Sequence, residues 1–133
     1  MTNKKLVAEV FDEIGYSIRR DERGNMFVCY QMKNIFISFG ESNDSYIVMT
    51  LPCFHEFDAE DEHLMLAVCN KLTHDFRMVK VCVDSDSNTI SAYSGFYYSD
   101  ERSLKLSIEN SLRIFGILRP TFEECQEKLA ADE

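Results

Sequence analysis

The sequence predicts one α+β domain in which helices pack against a single antiparallel β-sheet. Helical stripes of apolar residues alternate with two groups of strand-like segments. The connections between those strands are short, which favours antiparallel neighbours. With 133 residues, 45% of them hydrophobic, the chain can bury a core without a metal or a disulfide. We expect the order α-β-β-β-α-β-β-α in one domain over residues 1–133.

The first helix is predicted over Thr2–Gly15. Thr2 or Asn3 can cap its start, and Gly15 suits its end because glycine adopts the left-handed conformation there. The apolar stripe that recurs at helical spacing consists of Leu6, Val7, Val10, Phe11 and Ile14.

The first group of strands follows this helix. The segments are, in chain order, a short edge strand at Tyr16–Arg20, then Met26–Met32, Ile35–Phe39 and Ser45–Leu51. We place a hairpin turn at Lys33-Asn34, because asparagine tolerates positive φ, with Met32 opposite Ile35. Turns are also expected at 21–25 and 40–44. Pro52 should end the pairing because it has no N–H to donate.

The second half of the chain predicts a helix, a hairpin and a long helix. Asp58 should cap the second helix, which ends near His74-Asp75. Its apolar stripe is Leu64, Met65, Val68, Cys69 and Leu72. The hairpin pairs Arg77–Val83 with Thr89–Phe96 across the turn at 84–88. A third helix from about Ser99 to Leu118 should stop at Pro120, and Thr121 should cap a short final helix.

The stretch "CNKLTHDFRMVKVCVD" brings Cys69, His74 and Cys82 close together in sequence. Cys69 lies on the apolar stripe of the second helix, and a histidine at a helix end is favoured by the helix dipole. Cys82 lies on a strand, where a free cysteine behaves as a small apolar residue. We therefore interpret these residues as structural.

A second cluster, "PCFHEFDAEDEH", offers the better chemical candidates. A Cys53–His55 pair could activate a thiolate, and His63 could join them around zinc. However, H-E-x-x-H is absent, and so are glycine-rich phosphate loops and G-x-S-x-G. We expect no catalytic residue, no cofactor and no metal.

The net charge of −9 limits the classes of partner. Nucleic-acid and anionic-lipid surfaces are bound by clustered Lys and Arg, and no basic stripe is present. No apolar run is long enough to span a membrane, and no export signal is recognised. The five cysteines include no C-x-x-C pair, which is typical of reduced thiols. We expect a cytoplasmic protein that binds neither nucleic acid nor membrane.

The alternation along the strands separates two sheet faces. One face carries Ile37, Ile47 and Val81, and the first and third helices should pack on it. The other face is unusually apolar for a solvated surface, and its candidate partner-binding residues are Phe27, Phe36, Tyr46, Val48 and Tyr93. Two explanations stay open: the second helix covers part of this face, or a partner chain does.

The segment "VCNKLTHDFRMVKVCVDSDSNTISAYSGFYYSDERSLKLSIENSLRIF" resembles the YbjN-domain family of bacterial sensory-transduction regulators. Asn70 and Leu72 fit its helix pattern and "VDSDSN" its acidic hairpin turn, and the resemblance runs from about Leu6 to Phe122. It implies a fold similar to class I type III secretion chaperones. Those proteins are commonly dimeric and bind extended segments of clients. The family has no accepted enzymatic activity to carry over.

The sequence therefore predicts a non-enzymatic protein-binding module, chaperone-like or regulatory. We expect it to bind a protein or peptide client and to form a homodimer. Two alternatives remain: a cysteine- or metal-dependent enzyme that uses Cys53 and His55, and a structural subunit of a larger complex.

Overall fold

The structure is a computed structural model that describes residues 3–40 and 45–132. The helices are α1 (Asn3–Glu13), α2 (Glu62–Asp75) and α3 (Glu101–Ala131), and a 3-10 turn at Ala59–Asp61 precedes α2. The strands are β1 (Arg19–Arg20), β2 (Met26–Tyr30), β3 (Lys33–Phe39), β4 (Tyr46–Glu56), β5 (Val79–Asp84) and β6 (Thr89–Tyr97). The order α-β-β-β-α-β-β-α lacks the two-residue β1, which occupies only the end of the short edge strand predicted at Tyr16–Arg20. The turn expected at 40–44 lies outside the described residues except for Gly40. A cap at Thr2 lies wholly outside them.

The six strands form one antiparallel sheet in the order β1-β2-β3-β4-β6-β5. The predicted α+β class with an antiparallel sheet is confirmed. The long β4 lies at the centre, where it pairs with β3 on one side and β6 on the other. The predicted β5–β6 hairpin is present, and Asn88 adopts a positive φ of 54° in its turn.

The core lies on one face of the sheet. Ile37, Ile47 and Val81 are at most 5% exposed and belong to one apolar cluster, as predicted. The buried residues of α1 and α3 belong to the same cluster, including Phe11 and Phe115. These helices therefore pack on the predicted face.

The helix α2 packs on that same face and not on the opposite one. Its buried residues Met65, Val68 and Leu72 join the same core cluster. At the sheet edge, the Thr73 hydroxyl accepts from the N–H of Val81 (2.8 Å) and lies 3.2 Å from its carbonyl oxygen, to which it donates. Thus α2 also occupies the hydrogen-bonding edge of β5, and the explanation in which it covers the second face is excluded.

The β2–β3 turn differs from the prediction. It is formed by Gln31 and Met32, with φ angles of 49° and 65°, and Tyr30 pairs with Lys33. The predicted pairing of Met32 with Ile35 is wrong: Met32 lies 98% exposed in the turn, and Ile35 pairs with Val28. The observed register pairs buried Met26 with buried Ile37 and buried Val28 with buried Ile35, whereas the predicted register would set Met32 opposite Ile35. Matching of core residues across the two strands outweighs the local preference of asparagine for a turn.

Pro52 does not end β4. The strand continues to Glu56 through a bulge, in which Leu51 pairs with Ala92 and the next pair is His55 with Ile90. The β3–β4 pairing has already stopped at Thr50, so Pro52 has no ladder bond to lose on that side. The continuation of β4 beyond Pro52 buries Phe54 against α3.

The ends of α1 and α2 follow different rules. Gly15, with φ of 99°, ends α1: its N–H donates to Asp12 and the N–H of Tyr16 donates to Phe11, which is the Schellman pattern. Asp58 lies before the 3-10 turn but makes no side-chain cap hydrogen bond, so its predicted capping role is wrong.

Pro120 does not stop α3, which runs as one helix of 31 residues. The predicted separate final helix capped by Thr121 is therefore wrong, and the Thr121 hydroxyl donates instead to the Ile117 carbonyl at 2.8 Å. Beyond the proline, Phe122 is fully buried and its ring contacts Phe54. Packing of the last turns outweighs one missing backbone hydrogen bond. The actual capping box is at the start of α3, between Asp100 and Ser103.

Candidate functional site

The face of the sheet opposite the helices is covered by no helix among residues 3–40 and 45–132. We call it the open face. Its paired strand positions, in chain order, are Arg19, Phe27, Cys29, Asn34, Phe36, Ser38, Tyr46, Val48, Thr50, Glu56, Lys80, Cys82, Asp84, Thr89, Ser91, Tyr93, Gly95 and Tyr97. None of its apolar side chains belongs to the core cluster or packs against it. The open face is thus a second apolar surface, separate from the core.

All five residues predicted to bind a partner lie on the open face. Four of them are half-buried by their neighbours in the sheet, and the fifth, Tyr93, is 38% exposed. Sequence reasoning missed Tyr97, whose side chain is 74% exposed on the same face. Its alternation with Tyr93 along β6 was the signal that could have found it.

One row of side chains crosses the open face from edge to edge. The register places six residues directly opposite one another in successive strands: Arg19, Phe27, Phe36, Thr50, Tyr93 and Lys80. We call this the transverse row. Its centre consists of three aromatic side chains and Thr50, and an exposed cation lies at each end.

Two aromatic pairs give the open face its contact area. The rings of Phe27 and Phe36 lie 5.6 Å apart between centroids, within the transverse row. The rings of Tyr46 and Tyr97 lie 4.6 Å apart at one end of β4 and β6. Such ring pairs hold each other's orientation, so they present a preformed surface to a partner.

A shallow depression of about 430 Å³ lies beside the transverse row. Phe36 and Thr50 line it from the strands, and the β1–β2 turn borders it with Asp21 and Asn25. The Asp21 carboxylate already accepts from the backbone N–H groups of Asn25 (2.8 Å) and Arg23 (2.9 Å). The Asn25 bond, with the others, holds the pKa of Asp21 below its usual range. This carboxylate therefore shapes the turn.

The alternative site at Cys53 and His55 is not assembled as a nucleophile and its base. Cys53 is exposed in the β4 bulge, and its N–H donates to the Ser91 hydroxyl at 2.9 Å. The His55 ring packs on Phe122 with 4.7 Å between centroids, and burial lowers its pKa. Within the described part of the chain, no hydrogen bond joins Cys53 to His55, and His63 lies exposed on α2.

The cysteines around α2 do not form a site either. Cys69 is buried, and burial raises the pKa of its thiol to about 12, so it stays protonated. The His74 ring is exposed and lies 3.3 Å from the Asp75 carboxylate. Among residues 3–40 and 45–132, the group with metal-ligand geometry is Asp58, Glu60 and Asp61, all exposed. Exposed acids near a helix start are common without an ion.

Comparison with known proteins supports the fold and leaves the family open. No protein-family model and no curated protein matches the chain, so the resemblance to the YbjN-domain family is not confirmed. A solved structure of an uncharacterized protein from Methanothermobacter thermautotrophicus is similar, with a TM-score of 0.62, 17% identity, and 96% of this chain and 99% of that chain covered. A chain of the HopA1-SchA chaperone-effector complex is similar with a TM-score of 0.58 and 12% identity, covering 93% and 92%.

The second of these likenesses supports the predicted chaperone-like fold. At such low identity the likeness concerns the fold alone. No helix among the described residues is both long and apolar enough to cross a membrane.

Proposed function

We propose that the protein is a non-enzymatic protein-binding module, chaperone-like or regulatory, whose contact surface is the open face. The observation that carries the proposal is the aromatic centre of the transverse row, at Phe27, Phe36 and Tyr93, on a face that no helix of the described residues covers. The protein or peptide client predicted from the sequence would bind there.

The open face differs in composition from a normal solvated sheet face. Antiparallel sheets with one face in water carry polar side chains on that face. Here Phe36 and Val48 occupy central strands of the open face, and Tyr97 is largely exposed beside them. Apolar patches rimmed by polar groups are typical of interaction sites, and aromatic residues are enriched in interface centres.

The fold comparison supports the same class of function. One similar chain belongs to a complex named for a chaperone and its effector. Since fold does not transfer function, this likeness adds weight without naming a partner. We also propose the cytoplasmic location that the sequence predicts, because it is compatible with this function.

The homodimer predicted from the sequence is a second way to occupy the open face. A closed two-fold pair would have to bury at least about 1,000 Å² in total to be stable. Light scattering of the purified chain over a range of concentrations measures its molar mass and so shows whether the dimer forms.

The experiment that tests the proposal compares crosslinked pull-downs from the native lysate. The test variant is Phe36→Lys with Tyr46→Lys, which places two charges on the open face. The control is Leu106→Lys with Ile117→Lys, which changes two exposed apolar residues of α3 (60% and 49% exposed). We expect the first variant to stay folded and lose the crosslinked partner, and the second to keep it. Equal capture by both variants would contradict the proposal.

A further inference from the structure

We propose that the occupant of the open face is a segment of another protein that carries carboxylates at both ends of an apolar centre. This inference rests on the proposed function and deepens it. The geometry that points to it is the transverse row, with Arg19 at one end, Lys80 at the other, and Phe27, Phe36 and Tyr93 between them.

The spacing of the two cations sets the size of the segment. The row spans six strands, hence five steps of about 4.8 Å, or about 24 Å from end to end. An extended chain rises about 3.3 Å per residue, so about seven residues separate the two carboxylates of the partner. The apolar side chains between them would lie over Phe36 and Tyr93.

The two cations are available to a partner. Both Arg19 and Lys80 are exposed, and within the described residues neither makes an ion pair. By contrast, four cations elsewhere are paired with acids: Lys71, Lys105, Arg119 and Lys128. Asp21, in the β1–β2 turn beside the row, already accepts from the N–H groups of Arg23 and Asn25. Among the strand residues on this side of the sheet, the acids form a different row, with Asp84 and Glu56 opposite Thr89. That row lies four residues, or about 13 Å, further along β6.

A second copy of the chain fits poorly when the two rows lie over each other. In a face-to-face pair the two-fold axis lies between the sheets. If the axis runs along the strands, Arg19 meets Lys80 of the second copy. If it runs along the row, each cation meets itself. Either arrangement centred on the row brings like charges together at both ends, which is the repulsion that selects against a wrong partner.

Nucleic acid also combines negative charge with rings that stack on aromatic side chains. The net charge of this protein argues against it as the partner. Binding a phosphate backbone draws on several cations that track the strand. The transverse row offers two cations about 24 Å apart on a chain with net charge −9. Two isolated carboxylates fit this pattern better than a continuous line of phosphates.

The test uses a display library of random twelve-residue peptides, selected on the whole wild-type chain and on three variants. The first variant, Arg19→Glu with Lys80→Glu, reverses both ends of the row. The second, Arg102→Glu with Arg113→Glu, makes the same change in net charge on exposed positions of α3. The third, Phe36→Lys, disrupts the apolar centre.

We expect the wild type and the α3 variant to enrich Asp or Glu at both ends of an apolar centre by at least about fivefold. The row variant should enrich Lys or Arg at those ends instead. Peptides with an apolar centre and no charge preference on any variant would overturn this inference and leave the proposed function standing. If the wild type enriches no peptide more strongly than the Phe36→Lys variant does, the proposed function itself is contradicted.

Two further results would also overturn the inference. One is a wild-type dimer in light scattering that Phe36→Lys converts to a monomer, because the occupant would then be a second copy. The other is binding of a fluorescein-labelled oligo-dT strand that the row variant abolishes and the α3 variant keeps.

Discussion

The ring of Tyr46 lies across Gly95 on the open face, in the space that a side chain at position 95 would fill. A Cβ at Gly95 would collide with the Tyr46 hydroxyl and lie 3.3 Å from the ring carbon that bears it. Gly95 pairs directly with Val48, two residues from Tyr46 along β4. The glycine therefore lets the tyrosine lie flat on the sheet, where it also contacts Tyr97.

A double-mutant cycle should detect this relationship. In the wild type, Gly95→Ala gains strand propensity but displaces the Tyr46 ring, so we expect a change of less than about 1 kcal/mol in the free energy of unfolding. In a Tyr46→Ala background the same change should be stabilising by about 0.5–1 kcal/mol. Urea melts of the four proteins give the coupling. Identical effects of Gly95→Ala in both backgrounds would show that the ring and the glycine are independent.

Truncation of the core face should be costly. We expect Ile37→Ala and Val81→Ala each to lower the free energy of unfolding by roughly 2–4 kcal/mol, because the transfer and cavity contributions add. Both side chains are at most 5% exposed, and they lie on different sides of the central strand β4, on β3 and β5. Met32→Ala, in the exposed β2–β3 turn, serves as the control and should cost under about 0.5 kcal/mol. Urea-melt losses below about 0.5 kcal/mol for the core variants would contradict the assigned burial.

The assignment of residues to sheet faces could be predicted even where the register was not. The predicted turn paired Val28 with Phe39, whereas the structure pairs it with Ile35. The difference is four residues, an even number, so every side chain keeps its face. Alternation along single strands was therefore enough to find Phe27 and Phe36 on the open face.

The departures from prediction come from contacts that are distant in sequence. Pro52 and Pro120 are read locally as stops, but Phe54 and Phe122 pack on each other across the bulge and the helix. The transverse row also depends on contacts that are distant in sequence. Arg19 and Lys80 are 61 residues apart in the chain, and only the pairing of all six strands puts them on one line.

Replacement of Pro120 by alanine should stabilise the protein. The proline has no N–H to donate to the carbonyl of Gly116, and its side chain is exposed, so no packing is lost. We expect Pro120→Ala to raise the free energy of unfolding by about 1–3 kcal/mol. Glu127→Ala, at an exposed position of the same helix that makes no ion pair among the described residues, is a control for helix propensity. A drop in the melting temperature of the proline variant would mean that the helix is adapted to a kink at this point.

His55 should make stability depend on pH near neutrality. Burial against Phe122 lowers its pKa from the usual value of 6.5, so the folded state binds fewer protons than the unfolded state. Its stabilising contribution is complete above the unfolded pKa and is lost as pH falls from there towards the folded pKa. We expect the free energy of unfolding to rise between about pH 5 and 7, and His55→Gln to flatten this rise. An unchanged slope in the variant would assign the pH dependence to another group.

Reversal of one end of the transverse row should create a dimer. With the two-fold axis along the strands, Arg19→Glu places a carboxylate opposite Lys80 of the second copy, and symmetry repeats the pair at the other end. The open face then becomes complementary to itself, with its aromatic centres stacked. We expect Arg19→Glu and Lys80→Glu each to associate at lower concentration than the wild type in light scattering. The double reversal restores like charges and should behave as the wild type does, and Arg102→Glu should change nothing. Equal association of the single and double variants would show that charge at the ends of the row does not decide what the open face accepts.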